Sequence, residues 1–162
     1  WNKETPFHPE YYYEDFALPG RRMNTSRGWE IYPQIMYDMA MRLKSEYGNI
    51  PWFIAESGMG IEQEERFADS EGTIQDDYRI AYITEHLSSL LDAVREGANC
   101  SGYMLWAFTD NVSPMNAFKN RYGLIEIDLQ NNRARRPKAS ASWFRQLRES
   151  RELTVDIDDE WR

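Results

Sequence analysis

The sequence of 162 residues predicts an α/β fold, a parallel sheet whose strands are joined by crossover helices. Three observations predict it. Two short, continuously apolar runs, residues 51–56 and 102–108, have the character of strands covered on both faces. A long amphipathic segment lies between them and has the length of a crossover helix. Both runs end in polar residues, Glu56 and Ser57 after the first and Thr109, Asp110 and Asn111 after the second.

The elements follow in order. The first thirty residues, with Pro6, Pro9, Pro19, Gly20 and three consecutive tyrosines at 11–13, show no sustained period and read as an extended loop. Apolar positions Ile35, Met36, Met39, Ala40 and Leu43 recur at helical spacing, with Pro33 suited to a first turn and Gly48 to a stop, so a helix is expected over 33–47. The strand at 51–56 leads into an acidic loop over 61–75. Asp76 or Asp77 can cap the next helix, whose apolar face is Ile80, Ile83, Leu87, Leu90, Leu91 and Val94 and which closes at Gly97. After the second strand, residues 122–129 alternate like a hairpin arm, with a turn at 130–132. A last helix is expected over 138–148.

Composition narrows the function. Nineteen basic against 27 acidic residues give a net charge of −8, which argues against a global basic field for nucleic acid or anionic membranes. An anionic substrate would need a local basic site. The single cysteine, Cys100, excludes an internal disulfide framework and fits a reducing, cytoplasmic compartment. No stretch approaches the ~20 apolar residues of a membrane span. The chain begins at Trp1, without methionine or a signal-peptide core, and is expected to be a piece of something longer.

Glu56 ends a strand where active-site groups of α/β barrels gather, although a solvated glutamate at a strand end would look the same. Trp106 ends the second strand, where an aromatic face can stack on a sugar ring or simply fill a core. Asp110 and Asn111 can hydrogen-bond hydroxyls or brace their neighbours. His8 and His86 are far apart, and His86 on the long helix reads as structural; no Cys/His cluster suits a metal, and no cofactor is expected. Asp69, Glu71, Asp76 and Asp77 lack the spacing of a calcium loop and read as a solvated acidic segment.

Taken together, residues 54–58 (Ile-Ala-Glu-Ser-Gly), 102–111 and 120–128 resemble, in order and spacing, the last two barrel strands and following hairpin of glycoside hydrolase family 1. Residues 28–33 (Gly-Trp-Glu-Ile-Tyr-Pro) resemble the segment leading into that family's sixth barrel helix, and 136–144 the start of its final helix. The resemblance implies that residues 1–150 are the C-terminal portion of a (β/α)8 barrel, with its last two strands and three helices, and that 151–162 are an acidic tail. It implies a retaining β-glycosidase in which Glu56 matches the nucleophile, with Ala55 and Ser57 replacing the usual neighbours. Such a mechanism needs a second carboxyl about 5–5.5 Å away to protonate the leaving oxygen. The family's Asn-Glu-Pro acid/base block does not occur in these 162 residues, so the chain alone is expected to be inactive.

The same resemblance speaks to the sugar. Ordinary members carry a sugar-binding glutamate two positions after the Asp-Asn pair next to its strand, and here the corresponding residue is Ser113. A glutamate would repel a 6-phosphate, whereas Ser, Lys and Tyr donate to it. Phospho-glycosidases resembling this chain use a Ser…Lys-x-Tyr pattern: Ser113 and Tyr122 fall at its ends, the strict lysine position is Asn120, and the nearest lysine is Lys119. Lys119 and Arg121 also read as a plain basic turn. Pro114 stands where a tryptophan accompanies 6-phosphogalactosides, which favours a 6-phospho-β-glucosidase acting on a phosphorylated disaccharide or aryl glycoside. A 6-phospho-β-galactosidase, an unphosphorylated β-glucosidase and a noncatalytic carbohydrate-binding module stay open as alternatives. Apolar Phe53, Ile54, Met104 and Trp106 on an uncovered sheet face would drive self-association.

Overall fold

The computed structural model describes residues 19–154. Most of the described chain follows the predicted order. The periodic segment forms α1 (Ile35–Glu46), stopped by Gly48 in the left-handed conformation at φ +70°. The apolar runs form β3 (Trp52–Ser57) and β5 (Cys100–Leu105), joined in parallel with the crossover α2 (Asp77–Arg95) between them. Antiparallel β7 (Ile125–Asp128) and β8 (Ala134–Pro137) make the hairpin, and α3 (Ala139–Ser150) closes the order.

Short pairings add detail that periodicity does not encode. Within the expected leading loop, β1 (Met23–Asn24) pairs with β2 (Trp29–Glu30), so the described part of that loop is a hairpin. β4 (Ile61–Glu62) pairs with β6 (Asn120–Arg121) and ties the acidic loop to the segment after β5. The leading residues before 19, including His8, and the end of the acidic tail from 155 lie outside the described residues.

α1 and the crossover helix α2 pack on one side of the β3–β5 pair. Ala40, Leu90, Ala93 and Ala98 are buried there, with Trp52, Ile54, Cys100 and Tyr103 packed against them. The small Ala40 and Ala93 let the backbones of α1 and α2 approach closely. On α2 the buried stripe runs through Ile83, Leu90 and Ala93, while Leu91, expected on the apolar face, is 38% exposed. The helix registers on the sheet one position away from Leu91.

Two expectations need correction. The strands are not covered on both faces: Phe53 is 56% and Met104 52% exposed, whereas Ile54 faces the helices and is not part of the open patch. Two strands with helices on one side leave the other side bare. The acidic segment is also not uniformly solvated. A single 3-10 turn, Glu64–Phe67, buries Glu64 to 3%, and Asp76 is fully buried.

Glu64 and Asp76 belong to a buried ionic network. Arg79 donates from Nε to Asp76 Oδ2 at 2.8 Å and from Nη2 to Glu64. Lys138 Nζ donates to Asp110 Oδ1 at 3.0 Å and to Glu64. Asp76 precedes α2 but makes no side-chain cap there; its carboxylate accepts from Ser140 N and Oγ, capping α3 across space. Burial works against the Arg79 charge, but Glu64, Tyr78 and Asp76 outweigh it and raise its pKa.

Candidate active site

The C-terminal ends of β3 and β5 open into a cleft of about 760 Å³ lined by Glu56, Trp106, Ser113 and Tyr122. How Glu56 reaches it is a matter of register. Trp52 and Ile54 face the helices, so strict alternation would turn Glu56 the same way. Pairing, however, advances from Ile54↔Tyr103 to Ser57↔Leu105, three steps on β3 against two on β5. The extra residue is a bulge, a device that re-aims side chains. Ser57 takes the buried position and Glu56 stands exposed in the cleft. Its carboxylate accepts no hydrogen bond from the described residues.

The loop after Glu56 is shaped by close approach. A Cβ on Gly58 would lie 1.7 Å from the carbonyl oxygen of Trp106, so only glycine lets the two strand ends meet. A Cβ on Gly60 would lie 2.5 Å from the ring of Tyr122. The Ser-Gly-Met-Gly sequence thus has a packing reason at both glycines. Trp106 is 40% exposed at the mouth of the cleft and is not core packing.

Asp110 braces its neighbours. It is 5% exposed, and its carboxylate accepts from Gly123 N at 2.9 Å, Ile127 N at 3.3 Å and Lys138 Nζ. Arg79 Nη1 donates to the carbonyls of Met59 at 2.7 Å and Tyr122 at 3.0 Å, pinning the loop after β3 to the segment entering the hairpin. The ionic network therefore fixes the segment that carries Tyr122, a residue lining the cleft, against the loop after β3. Asn111 lines the cleft with a buried, unpartnered Oδ1.

Lys119 is not brought to the other candidates. Its Nζ pairs with Glu62 at 3.2 Å, its side chain is 65% exposed, and it does not line the cleft. Asn120, beside it, is fully buried and donates to the carbonyl of Ser26. Arg121 pairs with Asp110 at 3.5 Å and donates to Ile127 O, so the basic turn is not simply solvated.

Several lining residues come from segments that sequence reasoning did not single out as site residues. Arg27, Trp29, Tyr32, Tyr82 and His86 share the cleft. His86 stacks on Tyr82 at 3.9 Å, and its Nδ1 donates to the Tyr82 carbonyl at 2.7 Å, a satisfied structural role. Burial pushes its pKa down. A signal for the buried network did exist: Arg79 and Lys138 sit at helix N-termini, where the dipole disfavours a cation unless carboxylates are near.

The described residues thus bring a strand-end carboxylate, Glu56, and a half-exposed tryptophan, Trp106, to one cleft at the C-terminal ends of two parallel strands. The family model for Glycosyl hydrolase family 1 matches residues 13–153, and the chain belongs to this family. It is 50% identical over 148 residues, 91% of its length, to 6-phospho-beta-glucosidase GmuD of Bacillus subtilis (strain 168), of which it covers 32%. It is 41% identical over 130 residues, 80% of its length, to 6-phospho-beta-galactosidase of Staphylococcus aureus (strain JH9), covering 27%. Among solved structures, the Family 1 b-glucosidase from Thermotoga maritima superposes with a TM-score of 0.76 at 25% identity, covering 86% of this chain and 30% of that one. The chain thus spans about a third of the length of the curated relatives it matches. No described helix is long and apolar enough to cross a membrane.

Proposed function

We propose that this chain supplies the nucleophile and the glycone-phosphate contacts of a full-length retaining 6-phospho-β-glucosidase, releasing glucose 6-phosphate and an aglycone. The observation that carries the reading is that Glu56 and Ser113 face one cleft, a carboxylate for attack beside a neutral donor where a sugar-binding glutamate is otherwise expected. Glu56 attacks the anomeric carbon, and a second carboxyl from outside these 162 residues protonates the leaving oxygen and then activates water. Trp106 stacks on the sugar face. Ser113 and Tyr122 donate to the phosphate. Lys119, committed to Glu62, is left out of this set. The substrate is a phosphorylated disaccharide or aryl glycoside, and the single cysteine supports a cytoplasmic setting.

Pro114 favours the gluco over the galacto substrate, and the 50% identical relative carries the gluco name. Two measurements test the proposal. The 162-residue chain alone shows no turnover of p-nitrophenyl 6-phospho-β-glucoside, whereas the full-length protein shows turnover that Glu56→Gln abolishes; activity surviving in that variant refutes the nucleophile. Ser113→Glu in the full-length protein shifts preference toward the unphosphorylated glucoside, and unchanged selectivity sinks the phosphate site. Apart from its remaining barrel, the chain self-associates through the bare face of β3 and β5.

A further inference from the structure

The cleft that is to hold a phosphate needs a cation, and the lysine nearest in sequence points elsewhere. Among the residues lining the cleft, Arg27 is the one lysine or arginine. The guanidinium lies over the ring of Trp29, 4.5 Å from its centroid, and has no carboxylate partner among the described residues. Its Nε is buried without a hydrogen-bond partner. A guanidinium that lines a cleft with no carboxylate beside it leaves its charge available to an anion there. An arginine stacked in this way can still meet an oxyanion through the N–H groups of its fork, here those other than the buried Nε.

The segment that carries Arg27 is fastened on both sides. Asn24 Nδ2 donates to the carbonyl of Gly60 at 3.0 Å, and Ser26 Oγ accepts from Glu62 N at 3.1 Å. On the other side, buried Asn120 donates from Nδ2 to the carbonyl of Ser26 at 3.3 Å. These contacts hold the turn between β1 and β2 against both the loop after Glu56 and the loop that bears Ser113. Asn120 occupies the position where the phospho-glycosidase pattern expects lysine. In this chain that position anchors the turn, and the positive charge enters the cleft from the turn itself.

Resting on the phosphoglycoside reading, we propose that Arg27, supported by Trp29, is the cation that binds the 6-phosphate, in place of Lys119. Arg27 acts in binding and takes no part in bond making or breaking. The test is made in the full-length protein with p-nitrophenyl 6-phospho-β-glucoside and the unphosphorylated p-nitrophenyl β-glucoside, reading the ratio of their kcat/KM values. Arg27→Gln lowers the ratio by about 10- to 100-fold, mainly through KM for the phosphorylated substrate, the range of a hydrogen bond to a charged group. Arg27→Lys recovers part of it. Loss of folded protein scales both substrates alike and leaves the ratio readable. Should Arg27→Gln yield no folded protein, the neutral Arg27→Met decides, and a KM for the phosphorylated substrate equal to wild type overturns the assignment. A ratio that survives Arg27→Gln but collapses in Lys119→Gln overturns it equally. A wild-type protein that prefers the plain glucoside instead removes the phosphoglycoside reading beneath it.

Discussion

His86 joins the long helix to the cleft, and its environment makes a pH prediction. Burial holds its pKa below the ordinary 6.5, with the Tyr82 carbonyl and Glu85 opposing and Arg22 adding to the depression. Between the lowered folded value and 6.5 the unfolded chain binds more protons than the folded one. Stability is therefore complete above 6.5 and falls as pH drops through that window. Urea midpoints of the full-length protein should be lower at pH 5.5 than at pH 7.5, with a smaller difference in His86→Phe; an equal difference in both would exclude His86 as the source. Glu56 shows the limit of residue-scale reading. Its chemistry is visible in the sequence as a carboxylate at a strand end, but its orientation depends on a bulge whose partner residues lie nearly fifty positions away on β5.

At the scale of elements, what is locally encoded was legible and what is paired at a distance was not. α1 and α2 follow from periodicity and from glycines at 48 and 97, both at positive φ just past the helix ends. The burial of Glu64 is invisible in an acidic loop, because its partner Lys138 is 74 residues away. Asp76 was legible as a cap, though for the wrong helix: its own N-terminus is not the one it serves. The network makes two predictions. Lys138→Met leaves Glu64 and Asp110 buried around a missing cation and should destabilise the full-length protein by about 3–5 kcal/mol in denaturant titration. A loss below ~1 kcal/mol would mean the pair is solvated in solution. Gly58→Ala drives a methyl into the Trp106 carbonyl and should cost about 1–3 kcal/mol while raising KM, because the strand end carrying Glu56 must move. Unchanged stability and KM would show that the approach is looser than 1.7 Å implies.

For the whole molecule, the open side of the β3–β5 pair sets behaviour. Phe53 and Met104 are 56% and 52% exposed, although strands of this composition are made to be covered. The sequence announced the covering through its unbroken apolar runs; it could not supply it, since the residues that face a barrel interior pack against strands other than their own neighbours. Besides their bare face, both strands have an outer edge without a partner among the described residues, since each pairs only with the other. An unpaired edge beside an apolar face is a template for another chain. The 162-residue chain should accordingly sediment as dimers or larger species at micromolar concentration. Phe53→Ser with Met104→Ser should shift it toward monomer while leaving α1 and α2 packed on the opposite face, as read by far-ultraviolet circular dichroism. A wild-type chain that runs as a single monomer would show that the face is covered from within, and would place some other part of these 162 residues across it.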